Sequence, residues 1–100
     1  MKISYAVTVA DEIKEIQTLL PILIDNKSEQ DEIVVQYDNQ KVTVDVLDYL
    51  NELVYDKKIT LLVGYPLNKD FATFKQHLNQ NCKGDWIFQL DADEVLDVKL

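Results

Sequence analysis

Gly84-Asp85-Trp86-Ile87-Phe88-Gln89-Leu90-Asp91-Ala92-Asp93-Glu94 decides how the rest of the chain is read. Trp86 to Leu90 is almost wholly apolar and rich in β-formers, as expected of a strand covered on both faces. Gly84, after Lys83, suits a left-handed stop to a preceding helix, with the lysine at the negative end of that helix's dipole. Asp91 and Asp93 then follow two residues apart. In extended chain, residues i and i+2 point the same way, so both carboxylates can face one point. Two hard oxygen ligands on one side suit Mg²⁺ or Mn²⁺. The competing reading of the same spacing is a solvated acidic loop.

Working outward, apolar strands alternate with amphipathic helices. Lys2 to Val9 is β-branched and apolar and ends in Ala10-Asp11-Glu12. A helix is expected from about Asp11 to Asn26, with Ile13, Ile16, Leu20, Leu23 and Ile24 on one face and Pro21 kinking or shortening it. Glu32 to Tyr37 is a second strand, delivering Asp38 at its end. Val42 to Tyr55 is a second helix, with Val46, Leu47, Leu50, Leu53 and Val54 as its buried stripe. Ile59 to Gly64 is a third strand. Phe71 to Lys83 is a third helix, burying Phe74, Leu78 and Cys82 and showing Lys75, Gln76 and His77 to solvent. The order βαβαβαβ means a Rossmann-like three-layer α/β sandwich: a mostly parallel sheet of about four strands with helices on both faces.

Composition narrows the function. One hundred residues, 47% hydrophobic, make a single domain with one core. No run is long enough to span a membrane, and Met1-Lys2-Ile3-Ser4 does not open a signal peptide. A lone cysteine, Cys82, excludes an internal disulfide and a cysteine-based zinc site, so a cytoplasmic, reducing setting is the default. With only two glycines, Gly64 and Gly84, neither a dinucleotide-binding glycine fingerprint nor a P-loop is present. A net charge of −8 argues against a nucleic-acid partner. It also means that a phosphate-bearing ligand beside Asp91 and Asp93 needs a divalent cation between.

A parallel sheet brings every strand's C-terminal end to one edge. Here that edge collects Asp11, Glu12, Asp38, Asp91, Asp93 and Glu94. Such a rim favours a cation, although water and lysines can screen it. Taken singly, the residues have plainer readings. Asp11 and Glu12 suit a helix start, Asp38 a turn with Asn39, and Lys75 a solvated helix face. His77 lacks a second histidine or cysteine nearby, Cys82 fits as a small core hydrophobe, and Trp86 fits as core. A calcium loop from Asp91 fails because Leu96 takes the place that needs glycine.

Ile3 to Glu12, Glu32 to Asp38, Asp70-Phe71-Ala72-Thr73-Phe74-Lys75-Gln76 and Gly84 to Glu94 together resemble the N-terminal, donor-binding half of GT-A-fold glycosyltransferases of the family 2 type. The last block, Gly84-Asp85-Trp86 through Asp91-Ala92-Asp93-Glu94, is the most specific. The resemblance implies that Asp93 holds Mn²⁺ or Mg²⁺ on the diphosphate of a nucleotide-sugar. It implies that Asp91 contacts the ribose, or the metal through water. Asp38 would bond the base, typically uracil. Lys75, where the family has arginine, would approach base or phosphates. Val9, Ala10 and Glu12 would line the nucleotide pocket, with a UDP-sugar as the partner. Ala10 stands where the family often has an aromatic residue, and Gln76 replaces asparagine. By the same resemblance the acceptor site and catalytic base lie beyond Leu100, so this chain carries the donor half and is not expected to turn over alone. Two further expectations stand beside this one. The first is a non-catalytic α/β interaction or regulatory module with an acidic rim. The second is a homo-oligomer formed through the C-terminal tail (Val95, Leu96, Val98) or a sheet edge.

Overall fold

The computed structural model describes residues 1–93 and contains the expected seven elements: β1 (Ile3–Val9), α1 (Ile13–Asn26), β2 (Glu32–Asp38), α2 (Val44–Tyr55), β3 (Leu61–Tyr65), α3 (Phe71–Gln80) and β4 (Trp86–Asp91). All pairings are parallel and the strand order is β3-β2-β1-β4. It is a Rossmann-like α/β layout. The chain moves outward from β1 to β2 to β3, then jumps back across β1 to place β4. Between β1 and β4 the direction of winding reverses, and crevices form at such a switch point.

Alternation along the strands divides the core in two. Val7, Ile33, Val35 and Leu90 point to one face, where Ile16 and Leu20 of α1 and Val46 and Leu50 of α2 cover them. Ala6 and Val34 point to the other and pack on Leu78 of α3. Each helix contributes the apolar stripe its 3.6-residue period requires. The reversal at β1 explains why α3 lies apart from α1 and α2.

Helix boundaries differ from expectation at the ends, for local reasons. α1 starts at Ile13, because Glu12 turns its carboxylate back onto the Ala10 amide (2.7 Å). The helix then runs on through exposed Pro21 to Asn26 without being shortened. α2 begins at Val44, not Val42, since the Lys41 and Val42 amides are held by the Asp38 carbonyl in a turn. It stops at Lys57, which takes the left-handed conformation (φ 60°). The Lys57 amide donates to Val54 O and the Lys58 amide to Leu53 O, the paired bonds that seal a helix end.

Three further expectations are corrected. α3 ends at Gln80 and Gly84 is not left-handed, so the glycine is no helix stop. Its smallness serves packing instead: a Cβ there would lie 2.6 Å from Ser4 N and from Ser4 Oγ. Next, β4 is not covered on both faces. Among the described residues it pairs with β1 alone, and Trp86, Ile87 and Phe88 are 64%, 41% and 50% exposed. Trp86 is therefore not core; burial begins only at Leu90. Lastly, His77 does not face solvent freely. It is half-buried, bonded through Nδ1 to Gln36 Oε1 (2.8 Å) and stacked on Tyr65 with ring centroids 3.9 Å apart. Gln36 is fully buried, and its Nε2 donates to the Phe74 carbonyl, which fixes the amide and makes the His77 Nδ1–H the donor.

The N-terminal edge of the sheet is tied by a buried polar knot. The Gly84 amide donates to Ser4 Oγ (2.7 Å), which in turn donates to Glu32 Oε2 (2.5 Å). The Lys83 amide donates to the same Glu32 oxygen (2.6 Å), and the Lys2 ammonium stands 3.7 Å from the other. Asp31 adds bonds from the Ile3 and Ser28 amides. The opposite, C-terminal edge carries the cleft.

Candidate functional site

A cavity of about 400 Å³ opens over the C-terminal ends of β1, β2 and β4, beside the first turns of α1 and α3. Its size is that of a small-molecule site. The β1 end supplies Thr8, Val9 and Ala10, followed by Asp11 and Glu12; the β2 end supplies Asp38. Asp91 and Asp93 come from the end of β4, and Lys75 from α3. All the site residues expected from sequence thus line one cleft. Glu94 and the apolar tail residues Val95, Leu96 and Val98 lie outside the described residues.

Asp91, the last residue of β4, and Asp93, in the turn that follows, both line the cleft. The Ala92 amide donates to Thr8 O (2.9 Å), prolonging the ladder by one residue, and Ala92 is buried in the core behind. Asp91, between the core residues Leu90 and Ala92, is exposed on the cleft. Asp91 is held there: its Oδ1 accepts from Thr8 Oγ1 at 2.7 Å across the parallel register. Asp93 is exposed.

Asp38 is the most buried acid of the cleft, at 4% exposure. Its Oδ1 accepts from the Gln40 amide (3.1 Å) and the Leu67 amide (3.4 Å), so one oxygen braces both neighbouring loops. Asp38 as a residue lines the cavity. The Glu12 carboxylate is engaged by the Ala10 amide, which shapes the β1–α1 turn and narrows its role to the pocket wall.

Charge is laid out unevenly. The β1 and β4 side carries Asp11, Glu12, Asp91 and Asp93, while Lys41 and half-buried Lys75 stand on the β2 and α3 side. Among the described residues no group of three His, Cys, Asp or Glu side chains is gathered closely enough to cage a metal. A Mg²⁺- or Mn²⁺-type site needs no such cage when a ligand's phosphates complete the shell; one or two carboxylates suffice. Asp91 and Asp93 are the two carboxylates that the end of β4 brings to this cleft.

Sequence reasoning missed Thr8, Lys41, Leu67 and Phe71. Thr8 was legible in principle, as a hydroxyl at the end of a strand due to neighbour a carboxylate. Lys41, Leu67 and Phe71 reach the cleft through two loops whose paths no periodicity encodes.

Comparison of the chain with models of known protein families, with curated proteins and with solved structures returned no match. Fold and cleft define the class: a parallel α/β domain with an acidic cleft at the switch point of its sheet.

Proposed function

We propose that the domain binds a nucleoside diphosphate, as part of a nucleotide-sugar, through a divalent cation held by Asp93 and supported by Asp91. The observation that carries this reading is the convergence of Asp38, Lys75, Asp91 and Asp93 on one cavity at the switch point. The resemblance of the Gly84–Glu94 block to donor-binding glycosyltransferase halves points the same way. When bound, the cation neutralises the diphosphate that this acidic rim would otherwise repel. The Thr8 hydroxyl fixes Asp91 toward ribose or a metal-bound water. Asp38 accepts an N–H from the base edge, which favours uracil or guanine, whose ring nitrogen there carries a proton, over adenine or cytosine, whose ring nitrogen there is an acceptor. Val9 and Ala10 form the floor, and Lys75 approaches base or phosphate. The proposal concerns donor binding; hexosyl transfer further requires a base to take the acceptor hydroxyl's proton.

Calorimetric titration of UDP with and without Mn²⁺ tests it. Binding is expected only with the metal, and Asp93→Ala is expected to weaken it at least about tenfold, the loss typical of a disturbed metal site. Metal-independent or absent binding by the folded wild-type chain would sink the reading. The weight would then pass to an interaction module, which the exposed Trp86, Ile87 and Phe88 on the β4 edge favour.

A further inference from the structure

We infer that Phe71 is the platform on which the base of the bound nucleotide stacks, an inference that rests on the donor-site reading above. Phe71 is the first residue of α3 and 65% exposed. It lines the main cleft and also an adjoining cavity of about 440 Å³ that shares Asp38, Lys41 and Leu67 with it. It therefore stands on the wall between the two, beside the carboxylate assigned to the base edge.

Its place is fixed rather than accidental. Asp70 caps α3, accepting from the Thr73 amide (3.1 Å) and the Thr73 hydroxyl (2.7 Å), and these bonds hold its carboxyl below the ordinary range. The Asp70 amide donates to Leu67 O (2.9 Å), closing the loop before it. Inside that loop Asn68 and Lys69 both adopt left-handed backbone, φ 49° and 60°. Non-glycine residues take that conformation at a cost, so the loop is held in a bent path that delivers Phe71 to the rim.

The other rings nearby are already committed. Phe74, which also lines the cleft, is 5% exposed, and Tyr65 is stacked on His77. Ala10, which also lines the cleft, offers a methyl group only. A planar base entering with its edge toward Asp38 has the Phe71 ring as its available aromatic face. Stacking of this kind tolerates any base, so Phe71 supplies affinity while Asp38 supplies the choice.

The test uses two probes, UDP and inorganic pyrophosphate, each titrated with Mn²⁺ into wild type, Phe71→Ala and Phe71→Trp. Phe71→Ala is expected to weaken UDP about tenfold or more, to leave pyrophosphate unchanged, and to melt at the wild-type temperature because the side chain is exposed. Phe71→Trp is expected to retain UDP affinity. Undiminished UDP binding by Phe71→Ala overturns this inference alone, as does an equal loss for pyrophosphate. Failure of the wild-type chain to bind UDP overturns the donor-site reading and this inference with it.

Discussion

Gly84→Ala is expected to destabilise the domain by about 3 kcal/mol, the range for forcing a carbon into a packed interior. The new Cβ would meet Ser4 N and Ser4 Oγ at 2.6 Å and the Ile3 carbonyl carbon at 3.0 Å. Two of those atoms are backbone of β1, so relief requires the strand itself to move. Moving β1 away from Gly84 would also lengthen the Gly84 amide bond to Ser4 Oγ and disturb the Lys2 carbonyl, which accepts from Asp85 N at 2.7 Å. For a domain of this size the loss corresponds to a melting temperature lower by roughly 15 °C. Gly64→Ala is the control. A Cβ there also finds atoms 2.6–2.9 Å away, but all belong to the end of the half-buried Tyr37 ring, which can swing aside. Its cost is expected to be under about 1 kcal/mol. Equal melting temperatures for the two variants would show that the β1–β4 contact is looser than described.

Glu32→Ala is expected to cost a similar amount, about 3 kcal/mol, by stranding the donors that converge on a buried carboxylate. The milder Glu32→Gln isolates the charge. Burial alone raises the Glu32 carboxyl, but the Lys83 amide, the Ser4 hydroxyl and the Lys2 ammonium together outweigh it and leave the group below its ordinary value of 4.5. A carboxyl depressed on folding contributes stability that is complete above its unfolded pKa and lost as pH falls through the folded one. The stability gap between wild type and Glu32→Gln should therefore be constant above about pH 5.5 and shrink steadily below about 4.5. Urea denaturation across that range measures it. A gap that stays constant to about pH 3, or widens, would falsify the assignment of Glu32 as a charged anchor.

Both variants act at the N-terminal edge of the sheet, away from the cleft, and that division of labour was only half visible in the residues. The acidic rim was legible because a parallel sheet must bring strand ends together, so Asp38, Asp91 and Asp93 could be placed on one edge without coordinates. Glu32 was not legible as an anchor. A glutamate at a strand start carries no periodic signal, and its partners Ser4 and Lys83 lie 28 and 51 residues away along the chain. Trp86 misled for a related reason. An apolar run announces a strand, but whether both faces are covered depends on the strand's place in the sheet, and among the described residues β4 lies at the edge. His77 was assigned to solvent because its helix period put it off the apolar stripe. Gln36, a polar residue buried in the sheet, reached out to it, and a pattern of hydrophobic positions does not register polar pairs.

The exposed edge has a practical consequence. Trp86 is the chain's sole tryptophan, set at the start of β4 with its indole largely in water. Asp91 lies five residues further along the same strand, roughly 16 Å away at the usual rise per residue. Intrinsic fluorescence therefore reports on the edge and not on the cleft. Emission at the wavelength of a hydrated indole marks an open β4, and a blue shift marks a strand or partner laid against it, whatever ligand the far end of the sheet holds.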